Sequence, residues 1–213
     1  MLIREVMTTN VVTIPSDTSL AEARRIMEFH KLRRLPVVDR GKLVGIVSRD
    51  TLEKAGPSKL TTFSIHEITH LLTKITVKEV MSKDIFTVPP DATVEEVVSM
   101  AQKRRVGSAL VVEDGLLVGI ATTNDFFYKI VNPILGIGKT GSRISIHRCG
   151  KAAEVAKVLN TVNRLGAETV TMFALPHPET GVPDLNLHLN VEDPSAVIEA
   201  LKKEGHDVHL TPR

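Results

Sequence analysis

Two histidines one helical turn apart, with a glutamate between them, form the most suggestive catalytic pattern in the chain. They lie in the segment His66-Glu67-Ile68-Thr69-His70, and this spacing lets two imidazoles bind Zn²⁺ while the glutamate acts as a general base. The extended motif would continue with a glycine and a third histidine, but Thr73 and Thr76 occupy those positions. We therefore interpret the segment as an amphipathic linker helix. A zinc hydrolase using these two histidines and the glutamate is the distant alternative.

Other reactive residue types give weaker patterns. Gly138-Lys139-Thr140 resembles the end of a phosphate-binding loop, but Pro133 stands where the first glycine of that loop belongs, so we interpret it as a flexible linker. Cys149 is the single cysteine, which excludes an intrachain disulfide and gives little support for a thiol nucleophile. No metal site is expected, and scattered histidines are predicted to be surface residues rather than metal ligands, for example His177, His188, His206 and His209.

The elements that must position any site are duplicated. Residues 3–52 return as residues 77–126 with a constant offset of 74 and no insertion, so that Glu5-Val6-Met7 returns as Glu79-Val80-Met81. Two copies of a small unit usually pack on each other, because neither buries enough apolar surface alone. A ligand is then expected in the cleft between the copies.

Each copy is predicted to be a strand–helix–strand–strand–helix (βαββα) unit. In the first copy, a short helix leads to a strand that ends at Pro15, and a longer helix starts near Leu20. Strands follow over residues 35–38 and 43–47, and a second helix begins near Ser48. Gly56-Pro57-Ser58 interrupts the chain before the linker helix, and the stretch from Asn132 to Gly141 is predicted to be a second linker.

The last part of the chain has a different predicted order. Strands are expected over residues 143–147, 169–175, 185–191 and 207–210, with helices over 152–165 and 195–203. This strand–helix–strand–strand–helix–strand order (βαββαβ) is the ferredoxin-like plan. The predicted domains are residues 1–56, a linker over 57–76, residues 77–132, a linker over 133–141, and residues 142–213. The fold class is α+β.

Composition limits the classes of partner. The net charge is only +2 and aromatic residues make up 3% with no Trp, which argues against a nucleic-acid surface. No apolar stretch suits a signal peptide or a transmembrane helix. A single cysteine suits a reducing compartment. The sequence therefore predicts a cytoplasmic protein with no nucleic-acid or membrane partner.

One segment of the second copy connects the chain to a known family. Gly119-Ile120-Ala121-Thr122-Thr123-Asn124-Asp125 fits the CBS pattern of glycine, two apolar residues, Ser/Thr, two variable residues and Asp. The duplicated unit thus resembles a pair of CBS domains (a Bateman module), and residues 142–213 resemble an ACT domain. Leu71-Leu72-Thr73-Lys74 and the junction at residues 135–143 also resemble the acetoin-utilisation protein B (AcuB) group, which combines these domains.

The resemblance implies an adenosyl ligand, namely AMP, ADP, ATP or S-adenosylmethionine. Asp125 would accept hydrogen bonds from the ribose hydroxyls, and Thr122 and Asn124 lie at a helix start suited to phosphate. Thr122 and Asp125 also match a capping box, which remains an alternative. The family pattern adds residues from the other repeat to this better site: Thr13, Thr18, Leu32, Arg33 and Arg34.

The other implied sites depart from their patterns. In the first copy Thr51 stands where the ribose carboxylate belongs, and Asp50 is one residue early, which turns a helical side chain by about 100°. This degenerate site, expected to be weak, altered or empty, would comprise Ser48, Asp50, Thr51, Thr87, Ala92, Val106, Gly107 and Ser108. In the ACT-like domain, the loop His147-Arg148-Cys149-Gly150 keeps the usual glycine but lacks the acid, so a ligand at His147, Arg148 and Gly150 is doubtful and a dimerising role is preferred.

These features together predict a non-enzymatic, energy-sensing regulatory protein. It would need no cofactor, would bind its adenosyl ligand between the CBS repeats, and would transmit binding through a homodimer or to a protein partner. The main alternative is a structural dimerisation or interaction module whose nucleotide sites do not function.

Overall fold

The computed structural model describes residues 1–55 and 73–212. The predicted linker helix and the segment His66-Glu67-Ile68-Thr69-His70 fall largely or wholly outside these residues. The chain divides into two compact units, Met1–Phe126 and Phe127–Arg213. Among the described residues, no helix combines the length and apolar character needed to cross a membrane.

The first unit holds both repeats. The first repeat consists of α1 (Ile3–Val6), α2 (Leu20–Phe29), β1 (Arg34–Asp39), β2 (Lys42–Ser48) and α3 (Arg49–Ala55). The second consists of α4 (Val77–Val80), β3 (Thr87–Val88), α5 (Val94–Arg104), β4 (Ser108–Glu113), β5 (Leu116–Thr122) and α6 (Thr123–Phe126). In each repeat the last two strands form an antiparallel pair, and β3 lies parallel to β4.

The predicted strand that ends at Pro15 is wrong for the first repeat. Only one parallel bridge forms there, between Ile14 and Val37, at the position where Val88 pairs with Val111 in the second repeat. In the second repeat the N–H of Leu110 donates to the carbonyl oxygen of Phe86, but Pro36 stands at the matching position of the first repeat and has no N–H group to donate, so the ladder there is limited to Ile14.

Burial of one helix face explains why each repeat adopts its predicted helix. Ser19 caps α2 by accepting a 3.2 Å hydrogen bond from the N–H of Glu22. The apolar side chains of α2 and of β1 and β2 then form one core, in which each fully buried Val, Leu or Met side chain contributes about 1.5–3 kcal/mol. The core members on these elements are Leu20, Ala23, Met27, Leu35, Val37 and Val47.

The second unit contains the predicted βαββαβ order. A π-helical turn (Phe127–Val131) and α7 (Asn132–Leu135) come first, followed by β6 (Ser142–Ile146), α8 (Ala152–Arg164), β7 (Thr169–Pro176), β8 (Pro183–Leu189), α9 (Ser195–Lys203) and β9 (Val208–Leu210). The four strands form an antiparallel sheet in the order β7-β8-β6-β9. Its core is built from β6, β8, β9, α8 and α9.

The stretch predicted as a second linker is partly helical and packed. Asn132 and Pro133 begin α7 rather than break the chain, because a proline in the first turn of a helix loses no hydrogen bond. The guanidinium of Arg143 donates to the carbonyl oxygens of Leu135 (3.3 Å) and Gly136 (2.8 Å). Residues 133–141 therefore include a segment attached to the sheet of the second unit.

His188 is buried, so the prediction that it lies on the surface is wrong. Its side chain is 1% exposed, and its Nε2 lies 2.8 Å from the carbonyl oxygen of Thr140. Gly136 has φ +61°, and a Cβ at that position would overlap the imidazole. The ring is covered because the preceding segment folds over this face of the sheet.

Candidate functional site

The two repeats exchange their leading segments. Thr8, from the first repeat, forms an antiparallel bridge with Ile120 of β5, with N···O distances of 2.8 and 3.0 Å. Ser82, its counterpart 74 residues later, forms the same bridge with Ile46 of β2. Each repeat therefore extends the sheet of the other.

Two glycines allow this close approach. A Cβ added at Gly119 would collide with the sulfur of Met7, and a Cβ at Gly45 would collide with the sulfur of Met81. Both glycines lie in the middle of a strand, where any side chain would push the exchanged segment away. The glycine of the CBS pattern is thus required by packing between the repeats.

Asp125 lies at the start of α6, where this exchange brings the two repeats together. Its side chain is 9% exposed. Oδ1 accepts a 2.8 Å hydrogen bond from the hydroxyl of Thr8, while Oδ2 accepts from the N–H (2.9 Å) and the hydroxyl (2.6 Å) of Thr122. The N–H of Asp125 points back at Thr122 Oγ1 at 3.3 Å. The capping box is therefore formed, and a hydroxyl from the other repeat shares the same carboxylate.

The matching position in the first repeat has no carboxylate. Ser48 and Thr51 replace Thr122 and Asp125, and their hydroxyl oxygens lie 2.8 Å apart. The N–H of Thr51 donates to Ser48 Oγ at 3.1 Å. Asp50 is exposed to solvent. Ser82, the counterpart of Thr8, instead donates to the carbonyl oxygen of Asp84.

A guanidinium from the first repeat lies close to α6. Arg34 begins β1, and a Cβ added at Gly107 would lie 3.4 Å from its Nη2 and 3.4 Å from the hydroxyl oxygen of Thr123. Thr123 follows Thr122 directly, and its N–H donates to the carbonyl oxygen of Gly107 at 3.3 Å. Arg34 and Gly107, which were predicted for different sites, are therefore neighbours.

The other predicted residues occupy matching places in the two repeats. The carbonyl oxygens of Thr18 and Ala92 accept from the N–H groups of Val77 and Ile3. Leu32 packs against the first core, and Ser108 is opposite Thr122 in the sheet. The remaining residues, namely Thr13, Arg33, Thr87, Val106 and Asn124, are exposed to solvent.

Sequence reasoning missed Thr8. It precedes every predicted element of the site, and its contact with Asp125 spans 117 positions of the chain. The repeat offset offered one signal, because Thr8 and Ser82 are both hydroxyl residues that directly follow the repeated Glu-Val-Met. Only the exchange of segments gives that pair a role.

The doubtful ligand loop of the second unit is bonded to its own sheet. Arg148 has φ +54°, and its N–H donates to Asp184 Oδ1 at 3.0 Å. His147 Nδ1 lies 3.0 Å from the other oxygen of Asp184. A Cβ on Gly150 would press against Pro183. The loop itself lacks the usual acidic residue, but Asp184 of β8 places a carboxylate against it.

Two pKa values in this loop region are displaced. Burial alone would raise the pKa of Asp184, but the Arg148 N–H and the imidazoles of His147 and His177 outweigh it and lower that pKa. Burial, with a smaller contribution from Glu154, raises the pKa of Cys149. The thiol is therefore poorly suited to act as a nucleophile.

Comparison with known proteins identifies the duplicated unit. The family model for the CBS domain matches residues 3–57 and 77–132, just over half of the chain. The chain belongs to the CBS-domain family. A Vibrio cholerae protein described as an acetoin utilization protein (AcuB) is 32% identical, with a TM-score of 0.53 over 62% of this chain and 91% of that one.

Other members of the CBS family differ in what surrounds the pair. The CBS pair of MJ0100, solved with 5′-methylthioadenosine and S-adenosyl-L-methionine, is 28% identical, with a TM-score of 0.51 over 62% of this chain and 97% of that one. Inosine-5′-monophosphate dehydrogenase from Korarchaeum cryptofilum is 32% identical over 161 residues, 71% of this chain and 31% of the enzyme. The chain thus spans about a third or less of the curated relatives it matches first.

Proposed function

We propose that the unit Met1–Phe126 binds an adenosyl ligand between its CBS repeats and that the chain acts as a non-catalytic regulatory protein. The observation that carries this proposal is the buried carboxylate of Asp125, which lies at a helix start and is shared by both repeats. The MJ0100 pair supports it, because that relative was solved with two adenosyl compounds.

On ribose binding, a hydroxyl of the sugar would replace the hydroxyl of Thr8 as a donor to Asp125. A carboxylate offers about four acceptor positions, and one on Oδ1 is used by Thr8. Thr8 is exposed, so its hydroxyl can turn to water when a ribose hydroxyl replaces it. Hydrogen bonds to a charged acceptor are worth about 1.5–3 kcal/mol, enough to fix the orientation of the sugar.

The nearby guanidinium favours a ligand that carries phosphate. Arg34 lies beside Gly107 and Thr123, next to the N-terminus of α6. An arginine can bind phosphate oxygens in a bidentate way, whereas it would repel the positive sulfonium of S-adenosylmethionine. We therefore expect AMP, ADP or ATP to bind more tightly than S-adenosylmethionine.

Exchange at Thr8 would also supply the regulatory signal. Thr8 belongs to the segment that pairs with β5, so loss of its hydroxyl contact would loosen one repeat from the other. The change in output cannot exceed the difference in ligand affinity between the two arrangements. A homodimer or a protein partner would receive this change.

The second unit is proposed to be an ACT-like dimerisation domain. Its βαββαβ order and the sheet order β7-β8-β6-β9 suit that assignment. β7 is an outer strand and exposes Val170, Met172 and Leu175. Pairing of two such edges would cover these apolar side chains. A purely structural module is the second candidate, favoured by the missing carboxylate at Thr51.

Thermal unfolding with AMP, ADP, ATP, NAD and S-adenosylmethionine tests the proposal. A ligand at 100 times its dissociation constant should add about 2.7 kcal/mol of stability. The shift should disappear in Asp125→Ala and persist in Asp50→Ala, which removes an exposed carboxylate one residue before the position that matches Asp125. No shift with any compound would favour the structural module, and equal shifts in both variants would show that binding does not depend on Asp125.

A further inference from the structure

Three potential metal ligands converge at one end of the sheet in the second unit. His147 directly follows β6, His177 directly follows β7, and Asp184 is the second residue of β8. The register pairs Ile146 with Leu185 and Pro176 with Pro183, so the residues that follow β6 and β7 meet at the start of β8. One ligand atom from each side chain lies within 4.8 Å of the other two.

These separations suit a single metal ion after a small side-chain movement. Zn²⁺ binds imidazole nitrogen and carboxylate oxygen at about 2.0–2.2 Å, which places two tetrahedral ligands about 3.3 Å apart. His147 Nδ1 and Asp184 Oδ2 are already 3.0 Å apart. Because all three atoms lie within 4.8 Å of one another, no pair must close by more than about 1.5 Å to reach that geometry. His177 lies at the start of the β7–β8 turn, where a change of rotamer moves no strand.

The surroundings orient the ligands and favour positive charge. Asp184 is 8% exposed, and the Arg148 N–H holds its Oδ1, so its Oδ2 is turned towards His147. Such outer hydrogen bonds are typical of ligating carboxylates. The cavity of about 240 Å³ at this point is also lined by Glu179 and Asp207. Three carboxylates therefore face the cavity against the one guanidinium of Arg148.

We propose that His147, His177 and Asp184 bind a divalent first-row transition-metal ion such as Zn²⁺. The ion would take the place of the direct 3.0 Å contact that now joins His147 Nδ1 and Asp184 Oδ2. Two imidazoles and one carboxylate are a frequent ligand set for Zn²⁺ and leave a fourth position for water or a group from a partner. This site is independent of adenosyl binding by the first unit.

Two neighbouring histidines provide matched controls. His209 stacks edge-on against His147 with ring centroids 4.8 Å apart, but its Nε2 is bonded to Asp207 at 2.8 Å. His206 lies in the connection between α9 and β9 and is absent from the ligand group. His209→Ala removes an imidazole that contacts His147, and His206→Ala removes one elsewhere in the same unit, but neither removes a proposed ligand.

The test uses the full chain without an affinity tag, with His66→Ala and His70→Ala introduced to remove the competing histidine pair. Titration with Co²⁺, followed by its visible absorption, should give one ion per chain that Zn²⁺ displaces. His177→Ala and Asp184→Asn should each weaken binding at least about tenfold, while His209→Ala and His206→Ala should retain it. Circular dichroism verifies that each variant is folded. Absence of Co²⁺ binding, or binding unchanged in folded His177→Ala, would overturn the proposal.

Discussion

Replacing Thr51 with aspartate should create a second adenosyl site. The substitution puts a carboxylate in the first repeat at the position that Asp125 occupies in the second. Ser48, the counterpart of Thr122, already lies within hydrogen-bond distance of residue 51 through both its hydroxyl and the residue 51 N–H. The N–H of Arg49 is bonded to the carbonyl oxygen of Arg33 at 2.9 Å, which places two basic residues nearby.

The effect on stability should be small and favourable. The new carboxylate can accept from the N–H and hydroxyl of Ser48, as Asp125 does from Thr122 at 2.9 and 2.6 Å. Completing such a cap contributes about 0.5–2 kcal/mol, offset by the lost contact between the Ser48 and Thr51 hydroxyls. We expect the unfolding free energy to rise by about 1 kcal/mol.

The affinity of the first-repeat site for an adenosyl ligand should change more than the stability does. A ribose gains hydrogen bonds to a charged acceptor, and a net gain of about 1.4–2.8 kcal/mol raises the affinity of this site 10- to 100-fold. Ser82 does not compete, because its hydroxyl is bonded to Asp84. Calorimetric titration with AMP should therefore show two sites per chain in Thr51→Asp and one in wild type.

The neutral, equally sized Thr51→Asn variant is the control and should retain one site. The reasoning is refuted if Thr51→Asp gains stability, so that the carboxylate is accommodated, but still binds a single ligand per chain. That result would mean that the carboxylate only caps the helix. Asp125 would then have to be reinterpreted as a cap as well.

Three further perturbations follow from the packing and from the displaced pKa values. Gly119→Ala should cost about 1–3 kcal/mol of unfolding free energy because its Cβ meets Met7, and Met7→Ala in the same chain should recover most of it, measured by denaturant unfolding. Hydrogen bonds from Thr161 and Arg164 lower the pKa of Glu204 in the folded protein. The ionised carboxylate therefore stabilises the fold fully above the ordinary glutamate pKa of about 4.3, and this stabilisation is lost as the pH falls through the lowered folded-state pKa. Glu204→Gln should flatten this acid dependence in pH-resolved unfolding, and an unchanged profile would contradict it. Cys149 is 1% exposed and its pKa is raised by burial, so a thiol reagent at pH 8 should react only after unfolding; rapid labelling of the native protein would contradict this.

The sequence was a reliable guide wherever the pattern was local or repeated. The offset of 74 predicts that matching residues occupy matching places, and the bridges Leu2–Thr93 and Ser19–Thr76 obey it. The predicted helix over residues 195–203 agrees with α9 (Ser195–Lys203). The apolar spacing of a helix and the glycine that follows its C-terminus involve residues a few positions apart, so a single sequence is enough to predict such a helix.

Features that depend on distant partners were missed. Thr8 reaches Asp125 through a single bridge, too short to leave an alternating pattern. The approach of His147 and His177 follows from the sheet register, since the two residues are separated by a helix and a strand. The predicted strand boundaries were wrong where the prolines Pro176 and Pro183 pair in the ladder. An outer strand tolerates the missing N–H group of Pro176, and Pro183 is tolerated as the first residue of its strand.

The exchange of leading segments has a consequence for synthesis of the chain. Asp125 leaves the ribosome 117 residues after its partner Thr8. At about 5–20 residues per second, the first segment waits roughly 6 to 23 seconds before its pairing surface exists. The nascent first repeat thus carries an unfilled sheet edge at β2 and a free strand of its own. In two neighbouring nascent chains, the leading strand of one chain could pair with a sheet edge of the other. Slow translation of the second repeat should therefore favour swapped dimers over monomers.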